Sequence, residues 1–171
     1  MTLEERLGSI PGVDAVGSTF GAALGRSNGT GTATVEGRPE PEPGKEIEAL
    51  FRPVTPGYLE ALGLTLVEGR WFTHQDDASS PPVVVVSEAM ARKHWPGEDP
   101  IGKRMKVFPP DWPWLEVVGV VKDVRHRGPG QEPRPRWYVP HAQAYRSAYT
   151  SPLPMAVAVR AEADPTSLVG P

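Results

Sequence analysis

The segment Thr55-Pro56-Gly57-Tyr58-Leu59-Glu60-Ala61-Leu62-Gly63-Leu64 sets the reading of the chain. Thr55 is suited to cap a helix, Pro56 to occupy its first turn, and Gly63 to end it. Tyr58, Leu59 and Leu62 then share one apolar face. A strand is expected on each side, over about Glu46–Val54 and Leu64–Glu68, which makes a tightly punctuated β-α-β unit.

Upstream, Thr2–Ser9 reads as a short acidic amphipathic helix stopped by Ile10-Pro11-Gly12. Val13–Phe20 and Thr30–Glu36 have the β-branched, alternating character of strands. Gly21–Gly31 between them reads as a flexible loop, and Pro39–Gly44 as a turn. Downstream, Val83-Val84-Val85-Val86 predicts a buried strand, followed by a helix over Glu88–His94 with Ser87 as its cap. Lys103–Phe108, Leu115–Asp123, Trp137–Pro140 and Met155–Ala161 complete the strands. At Asp164-Pro165 a further helix is started and broken off, the mark of a segment of a longer protein.

The chain has 171 residues, with Gly 18 and Pro 21, so short elements joined by rigid turns are expected. A net charge of −3 argues against a nucleic-acid partner. Without cysteine, disulfides and thiolate metal sites are excluded. No run has the length of a membrane span, and Met1–Arg6 lacks the features of a signal peptide. Taken alone, those two points predict a soluble, cytoplasmic chain.

Several stretches imitate sites. Gly97-Glu98-Asp99-Pro100-Ile101-Gly102-Lys103 fits a phosphate loop until Arg104 stands where a hydroxyl is needed, and Glu98 and Asp99 would repel phosphate. Gly25-Arg26-Ser27-Asn28-Gly29 matches a nucleophile elbow, but a strand-like segment follows where a helix is required. His74-Gln75-Asp76-Asp77 offers too few oxygens for a hard cation and reads as a turn capped by its own aspartates. His94, His126 and His141 follow no zinc spacing. Lys122, Arg125, His126 and Arg127 form a small basic patch beside Asp123, read as an ion-pair region. Trp112 and Trp114, set among prolines in a loop, are the candidates for partner contact; folding back over the sheet is their alternative. No catalytic residue, metal or cofactor is assigned.

The ordered succession of Val54–Tyr58, Gly69-Arg70-Trp71-Phe72-Thr73, Pro82–Glu88, Trp95–Gly102, Val118–Arg125 and Tyr138-Val139-Pro140 resembles the extracytoplasmic core domain of MacB/FtsX-like ABC-transporter permeases. Gly128-Pro129-Gly130 and Trp137 depart from that pattern. The resemblance implies an α+β fold of two subdomains. One is a porter-like β-α-β subdomain over residues 1–72 and 145–171; the other is a smaller, inserted, mixed α/β (Sabre-like) subdomain over 73–144. It further implies a non-catalytic domain on the periplasmic side, held between membrane helices of a membrane-embedded, dimeric parent. Such a domain transmits motion driven by a cytoplasmic ABC ATPase and docks a periplasmic adaptor, lipoprotein, peptide or transported substrate. The alternatives are a freestanding peptide- or small-molecule-binding module and a hydrolase using Ser27.

Overall fold

The computed structural model describes residues 1–20, 30–39, 42, 47–107, 112–124, 132–144 and 155–162. Along the chain these form α1 (Leu3–Gly8), β1 (Val13–Phe20), β2 (Thr30–Val35), β3 (Ile47–Val54), α2 (Tyr58–Ala61), β4 (Leu66–Gly69) and β5 (Val83–Ser87). There follow α3 (Glu88–His94), β6 (Arg104–Val107), β7 (Leu115–Val121), β8 (Arg136–Pro140), α4 (His141–Ala144) and β9 (Met155–Ala161). The fold is α+β, with many strands and few, short helices.

Six of the strands join in a closed circuit. β2 pairs with β3, β3 with β8, β8 with β5, β5 with β7, β7 with β6, and β6 with β2 again. The β3–β8 and β5–β7 pairs are parallel and the other four antiparallel. Closing the circuit gives these strands a partner on each side and removes their edges. β4 adds to β7, while β1 joins β3 and carries β9 on its far side.

The valine run explains the centre. Every residue of β5 and of β8 is buried. Successive side chains of a strand point to opposite faces, so both faces of these two strands must be covered. On one face Val84, Val86, Val117, Trp137, Val139, Phe51 and Met105 form the larger core, inside the circuit. On the other, Val83, Val85, Val121 and Tyr138 meet Val54, Tyr58 and Phe72. Burying each of the four valines contributes on the order of 1.5–3 kcal/mol. A continuous apolar run rather than an alternating one is what such a strand requires.

The helix caps agree with the sequence in part. Thr2 and Glu5 form a reciprocal capping box on α1. The Ser87 side chain accepts from the Met90 N–H at 3.3 Å, as expected of the α3 cap. Asp123 Oδ1 also accepts the Ala89 N–H at 2.8 Å. Gly63 ends α2 with φ +61°, where Leu64 N–H reaches the Leu59 carbonyl at 2.8 Å and Gly63 N–H that of Glu60 at 3.0 Å.

Thr55, however, does not cap α2. The Ncap position is Gly57, without a side-chain bond, and the Thr55 hydroxyl is spent on tertiary partners. Because Leu64 closes the end of α2, β4 begins only at Leu66. β3 and β4 follow one another in sequence but lie apart, since β4 pairs with β7. The four-residue α4 was not foreseen. The expected Gly21–Gly31 loop, the Pro39–Gly44 turn and the Asp164-Pro165 helix lie largely or wholly outside the described residues. Among the described residues, no helix is long and apolar enough to cross a membrane.

His94 gives the fold an acid sensitivity. Its ring is buried and Nε2 has no hydrogen-bond partner among the described residues. Burial first, then repulsion from Lys93 and Arg38, lowers its pKa from 6.5 to about 4. Between those values the unfolded chain binds the proton and the folded one does not, so stability rises with pH. This contribution is complete above 6.5 and is lost as pH falls toward 4. Urea denaturation of the His94→Gln variant is expected to show a smaller drop in midpoint than the parent chain between about pH 7 and about pH 4.5. Equal drops in both would contradict it.

Candidate functional site

Among the described residues, the motif-like stretches are consumed by structure. In the phosphate-loop look-alike, the Ile101 N–H is taken by Asp99 Oδ1 at 2.8 Å, the Gly102 N–H by the Val117 carbonyl at 2.8 Å and the Lys103 N–H by the Pro100 carbonyl at 3.1 Å. The Lys103 ammonium sits on Glu98 at 2.9 Å and depresses the Glu98 pKa. None of these donors is left to hold a phosphate.

Asp76 of the acidic cluster is 7% exposed and receives both guanidinium nitrogens of Arg70 at 2.9 Å, with the Thr73 N–H at 2.8 Å. Burial raises its pKa, but the Arg70 and Thr73 bonds together outweigh that and hold the carboxyl below its ordinary value. Asp77 caps the Ser79 and Ser80 N–H groups at 2.7 and 3.0 Å. In the basic patch, Asp123 binds Arg92 at 2.7 Å. Arg125, His126, Arg127, Gly128-Pro129-Gly130 and Ser27 lie outside the described residues.

The two loop tryptophans take different places. Trp112 is 3% exposed and packs edge-on to Phe51, with ring centroids 5.9 Å apart. Trp114 is half-buried, with the Lys106 ammonium 6.0 Å from its ring centroid. Trp112 also walls a cavity of about 230 Å³ together with Pro113, Leu115, Val139 and Gln143. Gln143 fixes the far rim: its Oε1 accepts the Val83 N–H at 3.0 Å, and its Nε2 donates to Ser80 Oγ at 2.9 Å and the Pro81 carbonyl at 3.1 Å.

A second feature ties the chain's ends to this body. β1 and β9 pair antiparallel from Val13 opposite Ala161 to Phe20 opposite Met155. Where β1 passes α2, a Cβ on Gly17 would fall 2.3 Å from the Tyr58 nitrogen, and one on Gly57 2.1 Å from the Val16 carbonyl oxygen. The two backbones therefore touch directly.

Hydrogen bonds lock the contact. The Ser18 N–H donates to Thr55 Oγ1 at 2.8 Å and the Thr55 N–H to the Ser18 carbonyl at 3.0 Å. Glu4 of α1 accepts from the Ser18 hydroxyl and from the Thr55 hydroxyl, the latter at 2.9 Å. From β9, Arg160 reaches the Glu60 carbonyl at 3.2 Å, and Trp71 Nε1 holds the Pro56 carbonyl at 2.8 Å. Tyr58 then enters the outer core beside Tyr138, where burial raises the pKa of both phenols.

The sequence reading missed this clamp. Its available signal was a glycine, Gly17, inside an otherwise strand-like run, which marks close backbone approach. Also missed were two buried arginines on paired strands, Arg52 of β3 and Arg136 of β8. Burial, partly offset by Tyr58, lowers the pKa of Arg52.

The sequence profile of the MacB-like periplasmic core domain matches residues 2–169. The chain belongs to that family of periplasmic domains of ABC-transporter permeases. Solved structures share the fold. The periplasmic region of MacB from Actinobacillus actinomycetemcomitans superposes with a TM-score of 0.68 at 20% identity, over 96% of this chain and 66% of that one. The extracellular domain of the noncanonic ABC-type transporter YknZ from Gram-positive bacteria gives 0.64 at 22% identity, over 93% and 71%. A domain of a permease protein from Porphyromonas gingivalis gives 0.62 at 20% identity, over 97% and 70%. No curated protein matches the chain significantly in sequence.

Adding one methyl group to the clamp must push two backbones apart. Gly57→Ala is expected to lose about 1–3 kcal/mol, read as a fall in melting temperature on the order of 2–10 °C. An unchanged melting temperature would contradict the close contact.

Proposed function

We propose that this chain is the extracytoplasmic domain of an ABC-transporter permease and does no chemistry of its own. It carries ATP-driven motion from the membrane part outward and docks a periplasmic partner or substrate there. One observation carries the reading: β1 and β9, the first and last described strands, lie side by side, with Val13 opposite Ala161. A domain held between two membrane segments needs its ends to leave together. A ribbon made of both ends is also where displaced membrane helices would pull.

The path onward supports transmission. From the ribbon, force passes through the Gly17–Gly57 contact to α2, and from Tyr58 to the outer face of β5 and β8. Loops would absorb such a displacement; direct backbone contact and buried packing do not. In this reading residues 1–72 and 145–171 form the porter-like part and 73–144 the inserted part. The pairing of β1 with β9 supports the joining of the two ends, and the β3–β8 and β2–β6 pairs couple the two parts. A cytoplasmic ATPase and a dimeric parent complete the proposal.

The absence of cysteine makes location simple to test. In intact cells making the full-length parent, with any cysteine elsewhere replaced, a single cysteine at the exposed Ser79 is introduced. A membrane-impermeant maleimide is expected to label it without lysis. Labelling only after lysis would overturn the extracytoplasmic assignment.

A further inference from the structure

We infer that the outer edge of β9 pairs with β9 of a second copy of this chain, antiparallel about a two-fold axis at Ala158. This rests on the dimeric parent proposed above and assigns it a contact outside the membrane.

Two anchors fix where the backbone groups of β9 point. Ser18 lies opposite Val157, yet its N–H donates to Thr55 Oγ1 and its carbonyl accepts the Thr55 N–H, on the side of β1 away from β9. Val157 therefore turns its own N–H and carbonyl away from β1, as in a non-hydrogen-bonded antiparallel pair. At the other end, the Glu162 N–H reaches the Gly12 carbonyl at 3.3 Å, toward β1. Alternation from either anchor gives the same set: Met155, Val157, Val159 and Ala161 present N–H and carbonyl groups to the open edge. Among the described residues no segment pairs with that edge, and Val159 is 41% exposed.

The sheet treats its open edges differently. Among the described strands, β4 and β9 each have a neighbour on one side only. β4 is short, carries Glu68 and has a register shift against β7, all guards against stray pairing. β9 runs 7 residues without proline, and its one charge, Arg160, is held by the Glu60 carbonyl of α2. The bulge in the ribbon falls between Val13 and Ala15 on β1, which leaves β9 regular. This edge is unguarded.

The strand also fits itself. Laid antiparallel about Ala158, it sets Val157 against Val159 of the other copy and Met155 against Ala161. Arg160 then faces Ala156, so no like charges meet. Each copy consumes the other's edge, and the assembly closes at two. One such edge buries less than the roughly 1,200 Å² of a stable freestanding complex, so a diffusing peptide would be held weakly. Two copies anchored in one membrane need far less, because tethering raises their effective concentration. That selects a second copy as the occupant.

Disulfide cross-linking of the full-length parent in its membrane tests this, with any other cysteine replaced and two differently tagged copies made together. Opposite residues of a non-hydrogen-bonded antiparallel pair have Cα atoms about 4.5 Å apart, within disulfide range. Ala158→Cys is therefore expected to give a reducible homodimer on mild oxidation. Ala156→Cys, about 14 Å from its own copy in this register, should give about ten-fold less. Val157→Pro removes an outward N–H without touching the β1 ladder, and should lower the Ala158→Cys product about ten-fold or more. Val159→Lys, which charges the exposed edge, should lower it as well.

No homodimer from Ala158→Cys, equal product from Ala156→Cys, or indifference to both edge variants would each overturn the inference. So would a cross-link to a different protein, which would make β9 the edge for a foreign strand. Co-purification of the two tags without oxidation reads the dimeric parent separately. Tags that co-purify while Ala158→Cys stays unlinked sink this contact alone; tags that never co-purify sink the dimer with it.

Discussion

Gly17 and Gly57 pass one another with no side chain between them, and the architecture hangs on that contact. A strand and the entry to a helix normally lie one side-chain layer apart. Here a methyl group on either glycine would land within van der Waals distance of the opposing backbone. The ribbon of β1 and β9 is thereby set against α2, with Ser18, Thr55 and Glu4 adding hydrogen bonds around the contact. α1 has no buried residue of its own. Its Glu4 bonds tie it to Ser18 and Thr55, while the capping box closes only its own first turn.

Beyond the clamp, the body is built to respond as a unit. The closed circuit leaves β5 and β8 without an exposed face, and the two cores on their opposite sides share these strands. A displacement of α2 presses on Tyr138 and Val85, whose neighbours along each strand, Trp137 and Val86, belong to the inner core. Close-packed interiors transmit strain rather than dissipate it. In the transmission reading, the sheet carries displacement inward from the ribbon of β1 and β9.

Much of this was legible in the chain, and the misses have physical causes. Val83–Val86 announced its strand because burial on both faces demands an unbroken apolar run. Ser87 and Gly63 announced helix boundaries because caps are local. Thr55 misled because a tertiary offer, from the Ser18 N–H and Glu4, outcompeted the local cap. The partners of β4 were invisible because strand pairing is non-local. For Trp112 the proline-rich loop left both partner contact and folding back over the sheet open, and the ring lies on Phe51 in the core. Trp114, two residues away, remains half-buried. The clamp left one trace, the glycine at position 17, and no local rule names its partner. The family was readable only from the ordered succession of weak motifs, and the profile match over residues 2–169 bears it out.

Hydrogen exchange in the full-length permease, reconstituted in lipid nanodiscs, tests transmission through the clamp most directly. Exchange is compared between the nucleotide-free and vanadate-trapped states, for the parent sequence and for Gly57→Ala. The account predicts that nucleotide changes protection in β1 and β9 and, in the parent sequence, also in α2 and the adjoining end of β3. In Gly57→Ala the change stops at the ribbon. Ribbon amides that respond while α2 does not, in the parent sequence itself, would contradict it.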